Sequence, residues 1–145
     1  MLDLVLAIFH HVLIFALFSV LISELVLVKT GMDTAAAARL ASIDTWYGVL
    51  AGLILVVGFA RVIFAAKGWP YYEHNAFFHA KIAIFVLIAL LSVRPTVGFI
   101  RWKRAPAGPP PGQIAEVRRY LWIELVLFPL LLVCAAAMAR GYGEF

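Results

Sequence analysis

Four stretches of about twenty mainly apolar residues dominate this chain, and crossing the hydrocarbon of a bilayer takes roughly that many residues in helical form. The first covers residues 2–28 and closes at Lys29, Thr30 and Gly31. The second covers residues 44–66, apolar from Trp46 onward, and ends at Lys67, Gly68, Trp69 and Pro70. The third covers residues 76–93 and meets Arg94 and Pro95, past which a kinked helix could continue through Phe99 and Trp102. The fourth covers residues 119–139, apolar from Tyr120, with Pro129 inside it as a kink point and Arg140 and Gly141 at its end. Residues 105–112 read Ala-Pro-Ala-Gly-Pro-Pro-Pro-Gly, a loop, and residues 113–119 form a helical lead-in to the fourth span. The fold class expected is all-α: an integral membrane four-helix bundle, antiparallel and up-down, in a single domain covering residues 1–145.

A soluble fold does not fit this composition. Of the 145 residues, 65% are hydrophobic and 14% charged, and the mean hydropathy is +1.00. A soluble domain of this size has too little interior for so much apolar side chain. The net charge of +4 is no nucleic-acid signature, because its cations lie in loops beside the spans. The loops after the first and third spans carry Lys29, Arg39, Arg94, Arg101, Lys103, Arg104, Arg118 and Arg119, against Arg61, Lys67, Lys81 and Arg140 at the other side. Positive loops stay in the cytoplasm, so both termini are expected on the non-cytoplasmic side of a bacterial inner membrane. Trp69, Tyr71 and Tyr72 suit an interfacial aromatic belt at one side, and Trp46, Trp102 and Trp122 at the other. The start, Met-Leu-Asp-Leu, has no basic region typical of a secretory signal. Cys134 is a lone cysteine and reads as a small packed hydrophobe.

Ionisable residues inside the spans form two layers. Such residues are costly in hydrocarbon and usually face a bundle interior, a cofactor or a polar path. With antiparallel neighbours, His10, His11, His79 and Arg61 share one half of the bundle. Glu24, Asp44 and Glu124 share the other, at a depth where Arg94, Arg118 and Arg119 could pair with them. At about 100° per residue, His10 and Glu24 differ by about 40° around the first helix and His11 and Glu24 by about 140°. His10 is therefore expected inward and His11 toward a neighbour or lipid. Tyr47, Ile54, Gly58 and Arg61 share a face of the second span. Gly48 and Gly52 form a small-xxx-small pair suited to close helix packing. In the third span Asn75, His79 and Val86 share a face, and Lys81 lies about 160° from His79, which favours snorkelling for Lys81.

Two histidines at one depth on different helices suit axial ligation of a heme iron, and an arginine fork suits propionates. Each histidine could instead bond a neighbour, and Arg61 could snorkel. No cysteine cluster, His-x-x-x-His pair or Glu-x-x-His pair supports another metal site, and no phosphate loop or nucleophile elbow occurs.

Several strings stand together along nearly the whole chain: His10-His11, Ser23-Glu24-Leu25, Asp44-Thr-Trp-Tyr47-Gly48, Gly58-Phe-Ala-Arg61, Tyr72-Glu-His-Asn75, Phe77-Phe-His79-Ala-Lys81, Leu91-Ser-Val-Arg-Pro95-Thr96 and Met138-Ala-Arg140-Gly141. The set resembles a family of small predicted bacterial membrane proteins of unknown function, which implies a four-span bundle. A more distant resemblance is to the HemJ-type protoporphyrinogen oxidases, small four-span proteins thought to bind heme b. Their first-span histidine corresponds to His10 or His11, and their Leu-His-x-Lys string to Phe78-His79-Ala-Lys81. Their Asn-Glu-x-x-Pro-like string is matched only by Ile123-Glu124 and a more distant Pro129. That resemblance implies a heme b protein with a redox role, oxidase-like or electron-transferring. His79 and His10 would hold the iron, and His11, Arg61 and Lys81 would complete the cofactor site. Two other readings stand beside it. One is an accessory or assembly subunit of a larger membrane complex, packed through the Gly48/Gly52 face; a stable isolated homo-oligomer, the other assembly expected, would count against it. The other is a proton-coupled transporter using Glu24 and Glu124. Membrane lipid is the one partner common to all three, and nucleic acid is not expected.

Overall fold

A computed structural model describes residues 1–64 and 68–145. Ala65, Ala66 and Lys67, where the sequence places the end of the second span, lie outside the described residues. The chain forms α1 (Leu2–Leu27), α2 (Thr34–Phe64), a short α3 (Gly68–Glu73), α4 (Ala76–Trp102) and α5 (Pro111–Ala139). All four long helices are long and apolar enough to cross a membrane. The observed fold is thus all-α, with four long apolar helices packed as an up-down bundle, and the chain is a multi-pass membrane protein.

Three helices run beyond the spans expected from apolar content. α2 starts ten residues before the expected 44, because the alanines at 35–38 and Arg39, Leu40 and Ala41 after them are good helix formers with no breaker. At 31 residues it is about 46 Å long, against a hydrocarbon core of roughly 30 Å, so its first turns extend past the core. α4 continues through Pro95 to Trp102. Pro95 removes one backbone donor, yet its ring is fully buried against neighbours, which helps hold the helix together across it. α5 begins at Pro111, where a missing N–H costs nothing because first-turn donors have no helical partner.

The helices form a ring in which each long one has two long neighbours: α1 lies between α2 and α5, and α4 lies between α2 and α5. The most extensive contacts join consecutive helices, α1 with α2 and α4 with α5. Leu13, Leu17 and Leu21, spaced four apart, line the inner face of α1 and pack with Ile54 and Phe128. Phe99, Trp102, Ile114 and Val117 fill the end where α4 turns into α5. The outer surface is apolar: Phe15, Val26, Val56, Leu90 and Val126 are each 65% exposed or more. Lipid, not water, suits such a surface. Trp46 and Trp122 sit exposed on it as the belt reading expects, but Trp102 is buried, its indole Nε1–H donating to Gln113 Oε1 at 2.9 Å.

Each end of the bundle is tied. At the Glu24 end, the loops after α1 and α4 dock together. Thr34 Oγ1 donates to the Ala105 carbonyl at 2.9 Å. Gly108 has φ +72, and a Cβ there would stand 2.6 Å from the Met32 carbonyl oxygen, so only glycine fits. Arg118 donates to the Leu25 and Val28 carbonyls at 3.1 and 2.5 Å, a cation at the C-terminus of α1. At the His10 end, fully buried Asn75 caps α4, accepting from Phe77 N–H and Phe78 N–H at 3.0 and 3.2 Å. Its Nδ2 donates to the Tyr142 carbonyl at 3.0 Å, while Ala76 N–H donates to Gly143 O at 2.8 Å and Phe145 N–H to His74 O at 3.0 Å. The C-terminal tail is thereby strapped across the α3–α4 junction.

Candidate functional site

A cavity of about 430 Å³ opens among α1, α2, α4 and α5 at the His10 end of the bundle. Its floor is apolar: Leu17, Ile54 and Phe128 close it toward the middle of the bundle. Its upper wall includes Tyr71 and Tyr72 from α3, and Met138 and Ala139 from the end of α5. Tyr71 donates its hydroxyl to the Met138 carbonyl at 2.5 Å, joining two parts of that wall. Four ionisable side chains besides His11 face the space: Asp3, His10, Arg61 and Lys81.

Each of these is placed by helix phase. Asp3 and His10 are seven residues apart and share a face of α1. His10 nests against Gly58 of α2. A Cβ at Gly58 would lie 3.3 Å from His10 Cε1, so the missing side chain makes room for the ring. His10 Nδ1 is buried with no hydrogen-bond partner. Arg61 lies three residues beyond Gly58 on the same face, and its Nε is likewise buried and unpartnered. Lys81 comes from α4, with its Nζ 5.8 Å from the Phe78 ring centroid, a cation over an aromatic face. His10, Arg61 and Lys81 lie within electrostatic reach of one another. Among the described residues none of them forms an ion pair, since the one such pair is Arg94–Glu116 at 3.6 Å on the surface.

The expected grouping is only partly found. His10 and Arg61 face the cavity as their phases predict. His11 stands at its exposed edge, with Nδ1–H donating to the Ala7 carbonyl at 2.6 Å and its ring edge-on to His10 at 6.4 Å. His79 and Lys81 both depart from the facings that helix phase predicts. His79 is exposed and outside the cavity, with Nε2–H donating to the Glu73 carbonyl at 2.9 Å. Val86, expected on its face, is exposed as well. Lys81, whose phase favours snorkelling but which the resemblance assigns to the cofactor site, is half-buried and lines the cavity. Phe78, Phe85 and Ile88 define the inward face of α4, and Lys81 belongs to that face. Asp3 was overlooked in the sequence, although its seven-residue spacing from His10 is visible there.

The Glu24 end also departs from expectation. Glu24, Asp44 and Glu124 are buried together, but the arginines expected to pair with them do not. Arg94 pairs with Glu116, and Arg118 with backbone carbonyls. Gly48 and Gly52 face open space rather than a neighbouring helix of the bundle. Cys134 is buried, as read from its apolar surroundings.

Residues 2–143 match the family described as Predicted membrane protein (DUF2214). No curated protein and no solved structure matches the chain.

Proposed function

The chain belongs to the DUF2214 family of membrane proteins, and on that premise we propose that it binds an amphiphilic organic anion in the cavity at the His10 end. A single observation carries this reading: Arg61 and Lys81, from two different helices, converge on a largely apolar cavity with no acidic ion-pair partner among the described residues. The two cations repel each other and outnumber the one carboxylate among the described residues of the cavity, Asp3, which forms no ion pair with either, so an anion is the partner that offsets the remaining positive charge. The walls ask for an apolar body, and the cations ask for a carboxylate or phosphate head. His10, with a free buried nitrogen, adds a polar contact. We also place this end of the bundle, with both termini, on the non-cytoplasmic side of a bacterial inner membrane, from the charges of the loops.

Heme b, an apolar macrocycle with two carboxylates, belongs to this ligand class. Ligation by a His10–His79 pair does not fit the geometry. The His79 ring lies outside the cavity, and its Nε2 is engaged with Glu73 O. What supports heme is a single imidazole, His10, with Arg61 and Lys81 as partners for propionates. No redox step follows from these residues.

The test is ligand binding to protein in lipid nanodiscs, using a long-chain fatty acid, the matched fatty alcohol, and heme b. The fatty acid or heme should raise the melting temperature, and the alcohol should not. Arg61→Gln and Lys81→Gln should each weaken binding by about ten- to a hundredfold, the equivalent of one charge-assisted hydrogen bond of roughly 1.5–3 kcal/mol. A Soret band on adding heme, lost in His10→Ala, would single out heme within the class. Equal stabilisation by acid and alcohol, or none by any probe, would overturn the proposal.

A further inference from the structure

The second polar cluster lies about 21 Å from the first along α1, judged from the fourteen-position separation of His10 and Glu24. It draws on all four long helices. Glu24 of α1 and Glu124 of α5 are 2% and 1% exposed, and Asp44 of α2 is 7% exposed. Tyr47 of α2 reaches across the ring and donates its hydroxyl to Glu124 Oε2 at 2.9 Å. Thr96 of α4 donates to Asp44 Oδ1 at 2.9 Å. Glu24 lies within electrostatic reach of Asp44 and Glu124.

Two carboxyl oxygens in this cluster remain without donors. Oε1 of Glu24 and Oε1 of Glu124 are both buried and have no hydrogen-bond partner. Among the described residues no lysine or arginine forms an ion pair with either. The guanidinium of Arg118 is turned to the carbonyls of Leu25 and Val28. Carboxyls removed from water need a proton, a metal ion or a cationic side chain, and no side chain here fills that place. A divalent metal is poorly served: calcium takes six to eight oxygens, and no group of three or more ligating side chains able to hold a metal occurs among the described residues.

We propose that Glu24 and Glu124, assisted by Tyr47, form a buried site for one monovalent cation, either a proton carried by one of the carboxyls or a dehydrated sodium ion. Access is from the Glu24 end. A cleft of about 300 Å³ between α2 and α4 is lined by Asp44, Tyr47, Ser92, Thr96 and Lys103, and so reaches from the surface to the tyrosine that contacts Glu124. Toward the other end, Leu13, Leu17 and Leu21 pack with Ile54 and Phe128, and they separate this site from the ligand cavity. The groups that modulate occupancy are Asp44 and Tyr47 from α2, Thr96 from α4, Lys103 just past the end of α4, and Arg118 from α5. The site is independent of the anion-binding proposal and can fail or stand without it.

Full-length protein in nanodiscs decides it with two measurements. Infrared spectra against pH, in H₂O and D₂O, report a carboxyl C=O stretch that belongs to a bound proton. Melting curves in sodium, potassium or choline chloride report a bound sodium ion. The expected result is either a deuterium-sensitive buried-carboxyl band or a stabilisation specific to sodium. Glu24→Gln and Glu124→Gln should each abolish whichever signal is present. Wild-type protein with neither signal overturns the proposal. So does a signal that persists unchanged in both variants. If a variant fails to fold, the wild-type spectra and melting curves still decide.

Discussion

A single missing side chain positions the imidazole of the ligand cavity. Gly58 leaves a gap that His10 fills, with His10 Cε1 3.3 Å from where a Cβ would stand. Gly58→Val should displace the ring and lower affinity for a carboxylate amphiphile by about tenfold, since overpacking typically costs about 1–3 kcal/mol. Isothermal titration in nanodiscs measures this. His79 and Lys81 give a paired expectation. His79→Gln should leave ligand affinity unchanged, whereas Lys81→Gln should reduce it, as the same titration reports. The sequence shows that both residues open α4 but not which faces inward. Phase from His79 to Val86 is self-consistent, and so is phase from Phe78 and Lys81 to Phe85 and Ile88. The choice is made by contacts with elements before α4: His79 bonds back to the Glu73 carbonyl of α3, and Phe78 packs with Val62 and Tyr72. Depth, by contrast, was legible for His10, Arg61 and Glu24, because a rise of 1.5 Å per residue applies whatever the neighbours are.

At the scale of elements, helix ends depend on more than apolar content. Apolar runs mark the portions of α2, α4 and α5 that lipid can cover. They miss residues 34–43, 94–102 and 111–118, where interspersed polar residues, glycine or proline break the apolar run while the helix continues. These extensions meet one another at the Glu24 end, where Gly108 packs on Met32. Gly108→Val should therefore loosen the docked loops and raise their hydrogen-exchange rates, with the transmembrane portions unchanged. The opposite end turns on Asn75, which caps α4 and also holds the tail through Tyr142. Asn75→Ala should lower stability by about 1–3 kcal/mol, the range for a lost cap together with buried polar groups left unsatisfied. Thermal unfolding in nanodiscs checks the loss. Asn75→Asp keeps the capping oxygen but not the Nδ2–H bond to Tyr142, so it should recover part of it.

For the whole molecule, up-down connectivity makes both chain ends share a side, and the orientation proposed from the charges of the loops is testable. In a Cys134→Ser background, a cysteine placed at Ala107 should react with a membrane-impermeant thiol reagent only after the cytoplasmic face is opened. A cysteine placed at Tyr142 should react in intact cells. The reverse pattern would invert the orientation and leave both binding sites at their ends of the bundle. The layer of Leu13, Leu17 and Leu21, with Ile54 and Phe128, has a further electrical meaning. It spans about 12 Å along α1 and its inward-packed side chains are apolar, so a potential across the membrane is concentrated over it while the polar clefts on either side screen part of the field. A unit charge carried across the full potential changes energy by about 2.3 kcal/mol per 100 mV. A charged ligand settling in either recess traverses only part of that drop, so its occupancy should vary with voltage less steeply than that of an ion crossing the whole bilayer.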